Sequence, residues 1–315
     1  MTAAAWVGLQ FKAVIDWMEI RVELRGPTQF RHVQARLENS PAWGAKAPYV
    51  HEESIGGRSF VTFRVQDPTG PADLLCRVQA AACPGTPAIV DDDIEIVGME
   101  VALDLYSPLP DRDRLVSAAL HMYRHHARPP AELPGGWPRI AEPGQYRAAA
   151  HIGEVRRALA DGWTVNAGQE HAPYRARYYV KAHDTINGNA YAPLPIPQHR
   201  ARMEVTLRGP ELPFTSMAEW RAFRFETFAG RFAMRRTVAP TVMARGSTFP
   251  QQQRARMLGL AALLRSQLVR VGKPLDVARA GKHKRTHRAW TSADSAWSSR
   301  ARDALRKLDR AQKRS

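Results

Sequence analysis

The chain has only two cysteines among its 315 residues, Cys76 and Cys83. Two thiols cannot form a disulfide framework, and their spacing matches no zinc-binding signature, so they indicate reduced packing residues of an intracellular protein. The sequence also lacks any run of eighteen or more apolar residues, which predicts no membrane-spanning helix. Its first residues lack the charged region of a signal peptide. Together these absences predict a cytoplasmic protein that does not enter a membrane.

Two catalytic motifs are also missing. No Gly-x-x-x-x-Gly-Lys-Ser/Thr segment occurs, which excludes an ATP-driven motor of the P-loop class. No two histidines flank a single apolar residue, so a metal site built on such a pair is not expected. Acidic residues are fewer than basic ones: the chain has 46 Lys and Arg residues and 30 Asp and Glu residues, which gives a net charge of +16. The expected partner is therefore a polyanion, and nucleic acid is favoured over an anionic membrane surface.

The order of strand-like and helix-like segments predicts a mixed α+β fold, with helices at about 217–235 and 251–271 in its C-terminal part. We expect a largely antiparallel sheet with repeated strands, helices packed on one face, and C-terminal helices followed by a basic tail. A stretch with five prolines and three glycines predicts a connection between two lobes. The expected divisions are a first lobe at 1–127, the Pro/Gly-rich connection at 128–145, a second lobe at 146–240, a C-terminal helical segment at 241–278 and the basic tail at 279–315.

The basic tail differs in kind from the rest of the chain. Its 37 residues contain twelve Lys and Arg residues and three Asp residues, a net charge of +9. Such a composition predicts a solvated arm that contacts phosphates without reading sequence, with Trp290 and Trp297 able to stack on bases. An inert tail is the alternative. The residues expected to contact nucleic acid here are Lys282, Lys284, Arg285 and Arg288.

Three segments, at 17–27, 98–108 and 202–210, read almost as copies of one another. Each alternates apolar and polar residues, as a strand with two faces requires. The shared phase places Glu100, Asp104 and Glu204 on one polar face. Clustered carboxylates beside cations are able to hold Mg²⁺ or Mn²⁺ for phosphate chemistry. For any single strand, a solvent-facing polar side is the commoner explanation of such a pattern.

The segment 174–181 alternates in the same way. Arg175, Arg177, Tyr179 and Lys181 share one face, whereas Tyr178 belongs to the opposite face and is expected in the core. Neighbouring cations lower the energetic cost of a phenolate, and a metal ion that polarises a phosphate makes its phosphorus a better target. The pattern therefore makes Tyr179 a candidate nucleophile.

At these residues the chain resembles the replication initiators of rolling-circle plasmids of the Rep-trans type and of filamentous phages, together with related conjugative relaxases. The resemblance covers about residues 94–210. It implies metal-dependent nicking of one DNA strand, in which a tyrosine forms a 5′-phosphotyrosyl link and frees a 3′-hydroxyl. The matched positions are Glu100 and Asp104 in the acidic strand, Tyr179 and Lys181 in a Tyr-x-Lys strand, and Arg202 and Glu204 in an Arg-x-Glu strand.

The sequence leaves three questions open. The nucleophile is Tyr179, which lies among cations, or Tyr191, which is expected in a proline-flanked loop with more freedom to reach a phosphate. The partner is expected to be an origin or transfer site in single-stranded or extruded DNA, with Arg175, Arg177 and Arg208 among its contacts, and a homodimer is left open. The alternative function is a non-catalytic basic DNA-binding regulatory protein of a plasmid or phage. Such a protein would not need carboxylates at the centre of its binding face, because they repel phosphate.

Overall fold

The computed structural model describes residues 5–24, 29–43, 50–55, 58–109, 111–126, 139–142, 145–148, 152–186, 190–237 and 291–313. The strands are β1 (Gln10–Leu24), β2 (His51–Ile55), β3 (Arg58–Gln66), β4 (Ile94–Tyr106), β5 (Arg139–Glu142), β6 (Gln145–Ala148), β7 (Thr164–Ala167), β8 (Tyr174–Lys181), β9 (His183–Ile186), β10 (Ala190–Pro193), β11 (Arg200–Arg208), β12 (Arg235–Thr237) and β13 (Thr291–Ala293). The helices are α1 (Phe30–Asn39), α2 (Pro71–Val78), α3 (Arg112–His125), α4 (Ile152–Asp161), α5 (Met217–Ala222) and α6 (Ser295–Gln312).

Nine of these strands form one sheet in the order β2-β3-β1-β4-β11-β8-β7-β5-β6, and every neighbouring pair is antiparallel. The predicted α+β class with a largely antiparallel sheet is confirmed. The three near-identical segments become β1, β4 and β11, which lie side by side. Strands from both predicted lobes therefore belong to the same sheet, and β4 pairs directly with β11.

The apolar side of the central strands forms the core. Met18 pairs with Met99 across β1 and β4, and Leu103 pairs with Met203 across β4 and β11. All four side chains are fully buried. Helix α3 contacts β4, β8 and β11, while α6 contacts β1. Burying this continuous layer fixes the strand register, because a slip by one residue would turn the apolar side chains toward the other face.

Two secondary-structure predictions need correction. The Pro/Gly-rich connection contains a strand, since β5 pairs with β7 near the edge of the sheet. The segment 217–235, predicted as one helix, is α5 followed by 3-10 turns at Phe225–Phe232. The backbone of Phe223 is extended, and its ring packs edge-on against Phe225 and Phe228, with centroids 5.2 and 5.6 Å away. The helix predicted at 251–271 lies outside the described residues.

The last part of the basic tail is a core element. Asp294 caps α6 by accepting a hydrogen bond from the backbone of Trp297. The indole of Trp297 is fully buried and donates a 2.7 Å hydrogen bond to the carbonyl of Phe232. Trp297 is therefore unable to stack on DNA bases, and this expectation was wrong because the indole packs inside the protein. Trp290, Lys282, Lys284, Arg285 and Arg288 lie outside the described residues.

In the part of the chain that the structure covers, no helix is both long and apolar enough to cross a bilayer.

Candidate functional site

The polar side chains of β8, β11, β4 and β1 meet at the centre of the sheet. The register places Arg177 opposite Glu204 and Arg202 opposite Asp104. Directly paired residues share a sheet face, and Glu100 has the same phase as Asp104 on β4. The predicted shared face for the three carboxylates is confirmed, and we call it the polar face.

This polar face is unusually well buried at its centre. Glu100, Asp104 and Glu204 are each 1% exposed, and Arg202 is 3% exposed. Removing ionised groups from water costs several kcal/mol per ion unless they are paired and hydrogen-bonded. The commoner explanation of a polar strand face, contact with solvent, does not apply to these residues.

Three carboxylates come together in a group that we call the carboxylate triad: Asp16, Glu100 and Glu204. One oxygen from each lies within 4.8 Å of the others. Asp16 was not predicted from the sequence. The β1–β4 register shifts between Ile15 and Trp17, and such a bulge allows consecutive residues to point to one face. The carbonyl of Asp16 also accepts a 2.9 Å hydrogen bond from the backbone of Asp67, which fixes the bulge against the end of β3.

Asp104, which was expected to belong to this group, is held by arginines instead. Arg202 donates to both of its oxygens, at 2.6 and 2.7 Å. Arg200 approaches the same carboxylate at 3.1 Å. A two-pronged guanidinium contact of this kind is among the strongest ion pairs in proteins. Asp104 also lies four residues from Glu100 on β4, about 13 Å along the strand at about 3.3 Å per residue, so Asp16 rather than Asp104 completes the triad. Arg202 also contacts Asp16 at 2.5 Å and Glu204 at 3.4 Å.

Arg177 bridges the other two members of the triad. Its Nη2 atom lies 2.5 Å from Glu100 Oε1 and 2.7 Å from Glu204 Oε2. Glu100 further accepts a 2.9 Å hydrogen bond from the indole of Trp17 and another from the hydroxyl of Thr206. The attraction of Glu204 and Glu100 raises the pKa of Arg177 despite its burial. Arg177 is thus a firmly charged partner of the triad.

Tyr179 donates a 2.5 Å hydrogen bond from its hydroxyl to Glu204 Oε1. Burial, followed by the charge of Glu204, raises the pKa of Tyr179 well above its ordinary value, and Arg202 and Arg177 offset only part of this rise. The predicted effect of the neighbouring cations on the phenolate is therefore outweighed. Burial and repulsion from Glu100 raise the pKa of Glu204 to about 7. The pair consists of a proton donor and a carboxylate whose pKa suits proton transfer near neutral pH.

Three of the remaining predicted residues lie on the same strands as this centre. Lys181 forms a 3.1 Å ion pair with Asp184 at the end of β8. Arg175 donates a hydrogen bond to Asn166 on the neighbouring β7. Arg208 lies over the indole of Trp17, with its guanidinium carbon 5.4 Å from the ring centroid. Tyr191 was expected in a loop, but it belongs to the strand β10, where it pairs with Thr185. Its side chain lies outside the described part of the structure.

The carboxylate triad fits a divalent cation. Its donor atoms are all carboxylate oxygens, which Mg²⁺ and Mn²⁺ prefer. The 4.8 Å limit on their separations is close to the span of about 4.2 Å between opposite ligands of an octahedral Mg²⁺. Glu204 Oε2 is buried and makes no hydrogen bond, although Arg177 lies near it. Burial is the first cause of the raised pKa of Glu204 and repulsion from Glu100 is the second, and a divalent cation would offset this repulsion.

Comparisons with known proteins leave the family open. No family model matches the chain, and no curated protein matches it. One solved structure that is similar in part is the rolling circle replication initiator protein from Geobacillus stearothermophilus, with a TM-score of 0.32 and 14% sequence identity. The alignment covers 84% of this chain and 100% of that chain. A likeness this distant carries no argument about function, so the function has to be argued from the site.

Proposed function

We propose that this protein is a DNA strand nickase and transferase of a mobile element, acting as a replication initiator or relaxase, with Tyr179 as nucleophile and a divalent cation on the carboxylate triad. The observation that carries the proposal is the hydrogen bond from the Tyr179 hydroxyl to Glu204, a member of that triad. A hydroxyl, a candidate base and a group of carboxylates that could hold a metal ion lie next to one another here. Their combination is what phosphoryl transfer to a tyrosine requires.

The reaction would proceed by attack of the Tyr179 oxygen on the scissile phosphorus. The O–P bond forms as the bond to the 3′ oxygen breaks, the tyrosine proton passes to Glu204, and the departing 3′ oxygen takes a proton from solvent. The products are a 5′-phosphotyrosyl link and a free 3′-hydroxyl. A divalent cation held by Asp16, Glu100 and Glu204 would neutralise charge on the phosphate. The cation would also weaken the repulsion from Glu204 that helps to keep the pKa of Tyr179 high, so the tyrosine would ionise more readily and depend less on Glu204 as a base.

The charge distribution supports DNA as the substrate. The chain carries a net charge of +16, and Arg175, Arg177, Lys181 and Arg208 surround the buried triad on the polar face. Helix α6 adds a second basic surface, because Arg302, Lys307 and Arg310 are exposed. Among the described residues, none of these three has an acidic partner within salt-bridge distance. We infer that the polar face holds the reacting strand and that α6 adds contacts with phosphates elsewhere.

A covalent adduct tests the proposal. The protein is incubated with a labelled, randomised pool of single-stranded oligonucleotides and Mg²⁺ or Mn²⁺, then run on a denaturing gel. Wild type and Tyr191→Phe should form a labelled adduct, whereas Tyr179→Phe should not. Tyr106→Phe is a matched control, since this tyrosine lies on the same face with its hydroxyl 3.4 Å from Asp104. If Tyr179→Phe still forms the adduct and Tyr191→Phe does not, the nucleophile is Tyr191.

One observation favours the non-catalytic alternative. Arg177 and Arg202 contact every carboxylate at the centre of the polar face, so the network is largely neutralised by the protein itself. A DNA-binding protein stabilised by such a network would bind DNA equally well in EDTA and would form no adduct with any metal. Adduct formation that depends on a divalent cation would contradict this alternative.

A further inference from the structure

Arg177 already contacts two of the three carboxylates that a cation on the triad would use. Its Nη2 atom is within 2.5 Å of Glu100 and 2.7 Å of Glu204. A divalent cation takes carboxylate oxygens at about 2.0 to 2.6 Å. The guanidinium nitrogen and a metal ion cannot both contact the same two oxygens at such distances. Binding of a cation there requires that Arg177 move.

Arg177 is also the arginine that is able to move. Its side chain is 30% exposed, compared with 4% for Arg202. Arg202 is fixed by two hydrogen bonds to Asp104. Among the described residues, Arg177 has no equivalent two-pronged anchor, since its buried Nε makes no hydrogen bond. The two arginines of the network therefore differ in role: one is locked, and the other is held by one end only.

The charge balance favours an exchange. When all groups are ionised, the network carries a net charge of −1, from the four carboxylates Asp16, Glu100, Asp104 and Glu204 and the three arginines Arg177, Arg200 and Arg202. Replacing Arg177 by a divalent cation would bring this group to neutrality. Glu100 and Glu204 repel each other while Arg177 lies between them. A divalent cation would offset this repulsion more fully, because it carries two positive charges where Arg177 carries one.

We propose that Arg177 is a displaceable cation of the carboxylate triad: a divalent cation expels its guanidinium from Glu100 and Glu204, and the released side chain binds a phosphate of the DNA strand. The inference rests on the metal site of the proposed function. It couples two events, because the same side chain cannot pair with the triad and with DNA at once. Metal loading thereby raises DNA affinity at this face, and DNA binding raises metal affinity by the same factor.

Mn²⁺ binding to the full chain without DNA, measured by electron paramagnetic resonance, tests the first half. Arg177→Gln removes the competing charge and should bind Mn²⁺ about tenfold more tightly than wild type, because a charge-assisted contact no longer has to be broken. Arg175→Gln is the matched control. It removes the same charge from the same strand face, where its partner is Asn166 rather than the triad, and its Mn²⁺ affinity should equal that of wild type.

The second half is tested with a single-stranded oligonucleotide in the presence of Mn²⁺ or EDTA. Wild type and Arg175→Gln should bind the strand more tightly with Mn²⁺, and Arg177→Gln should lose this gain. Equal Mn²⁺ affinities of wild type and Arg177→Gln would overturn the role of Arg177 and leave the proposed metal site standing. If neither wild type nor any variant binds Mn²⁺, both the inference and the metal site are wrong.

Discussion

Replacing Glu204 by Gln should change how stability depends on pH. The pKa of Glu204 is raised to about 7 from 4.5 by burial and by Glu100. The folded protein therefore binds this proton more tightly than the unfolded chain does. The resulting stabilisation is fully present below about pH 4.5 and is lost as the pH rises through about 7. At 1.36 kcal/mol per unit of pKa, the change amounts to about 3 kcal/mol.

Urea unfolding of wild type and Glu204→Gln across this pH range, in EDTA, measures the effect. The free energy of unfolding of wild type should fall by about 3 kcal/mol more than that of the variant as the pH rises from about 4.5 to 8. This is a large share of a typical total of about 5 to 15 kcal/mol. Glu19→Gln removes another carboxylate of the polar face and controls for the loss of one charge. Parallel curves for wild type and Glu204→Gln would refute the electrostatic account of the triad.

Three further changes test other parts of the structure. Arg202→Met should destabilise the fold by about 3 to 5 kcal/mol in urea unfolding, because it leaves buried Asp104 without its main partner; a loss below about 1 kcal/mol would show that the network is dispensable. Trp297→Ala should cost about 3 to 5 kcal/mol, whereas a tail that lies in solvent would lose nothing. Combined alanine substitution on α6 should flatten the slope of log affinity against log salt by about 2 to 3 units for three lost phosphate contacts. The substituted residues on α6 are Arg302, Lys307 and Arg310, and the control on α4 substitutes Arg156 and Arg157. An unchanged slope for the α6 variant, or an equal change of slope in the control, would contradict the proposed DNA-binding surface on α6.

The alternation of polar and apolar residues predicted much of the sheet. It placed Tyr178 in the core and put three carboxylates on one face, because the period of a strand depends only on local geometry. It could not identify Asp16. Strict alternation puts this residue on the apolar side with Met18, and only the bulge between Ile15 and Trp17 turns it toward the triad. A bulge depends on the pairing of two distant strands, which leaves no pattern in one sequence.

The pairing of charges was equally hidden. Arg202 contacts Asp104, which is 98 residues away in the chain, and Arg177 contacts Glu100, which is 77 residues away. The sequence shows that such groups share a face but not which of them lie adjacent. Composition also misled at the C-terminus. The net charge of the tail concealed the apolar stripe of α6, in which Trp297, Ala301, Leu305 and Leu308 recur at helical spacing and are buried.

The central claim, that Tyr179 accepts the DNA strand, is tested most directly by mapping the covalent link. Trypsin cleaves after Lys and Arg, so Tyr179 falls in the fragment 178–181 and Tyr191 in the fragment 182–200. Mass spectrometry of the nuclease-trimmed, trypsin-digested adduct should find a nucleotide on the fragment 178–181, with fragmentation locating it at Tyr179, and only when Mg²⁺ or Mn²⁺ was present. A nucleotide on the fragment 182–200, or a link that forms equally well in EDTA, would contradict the account.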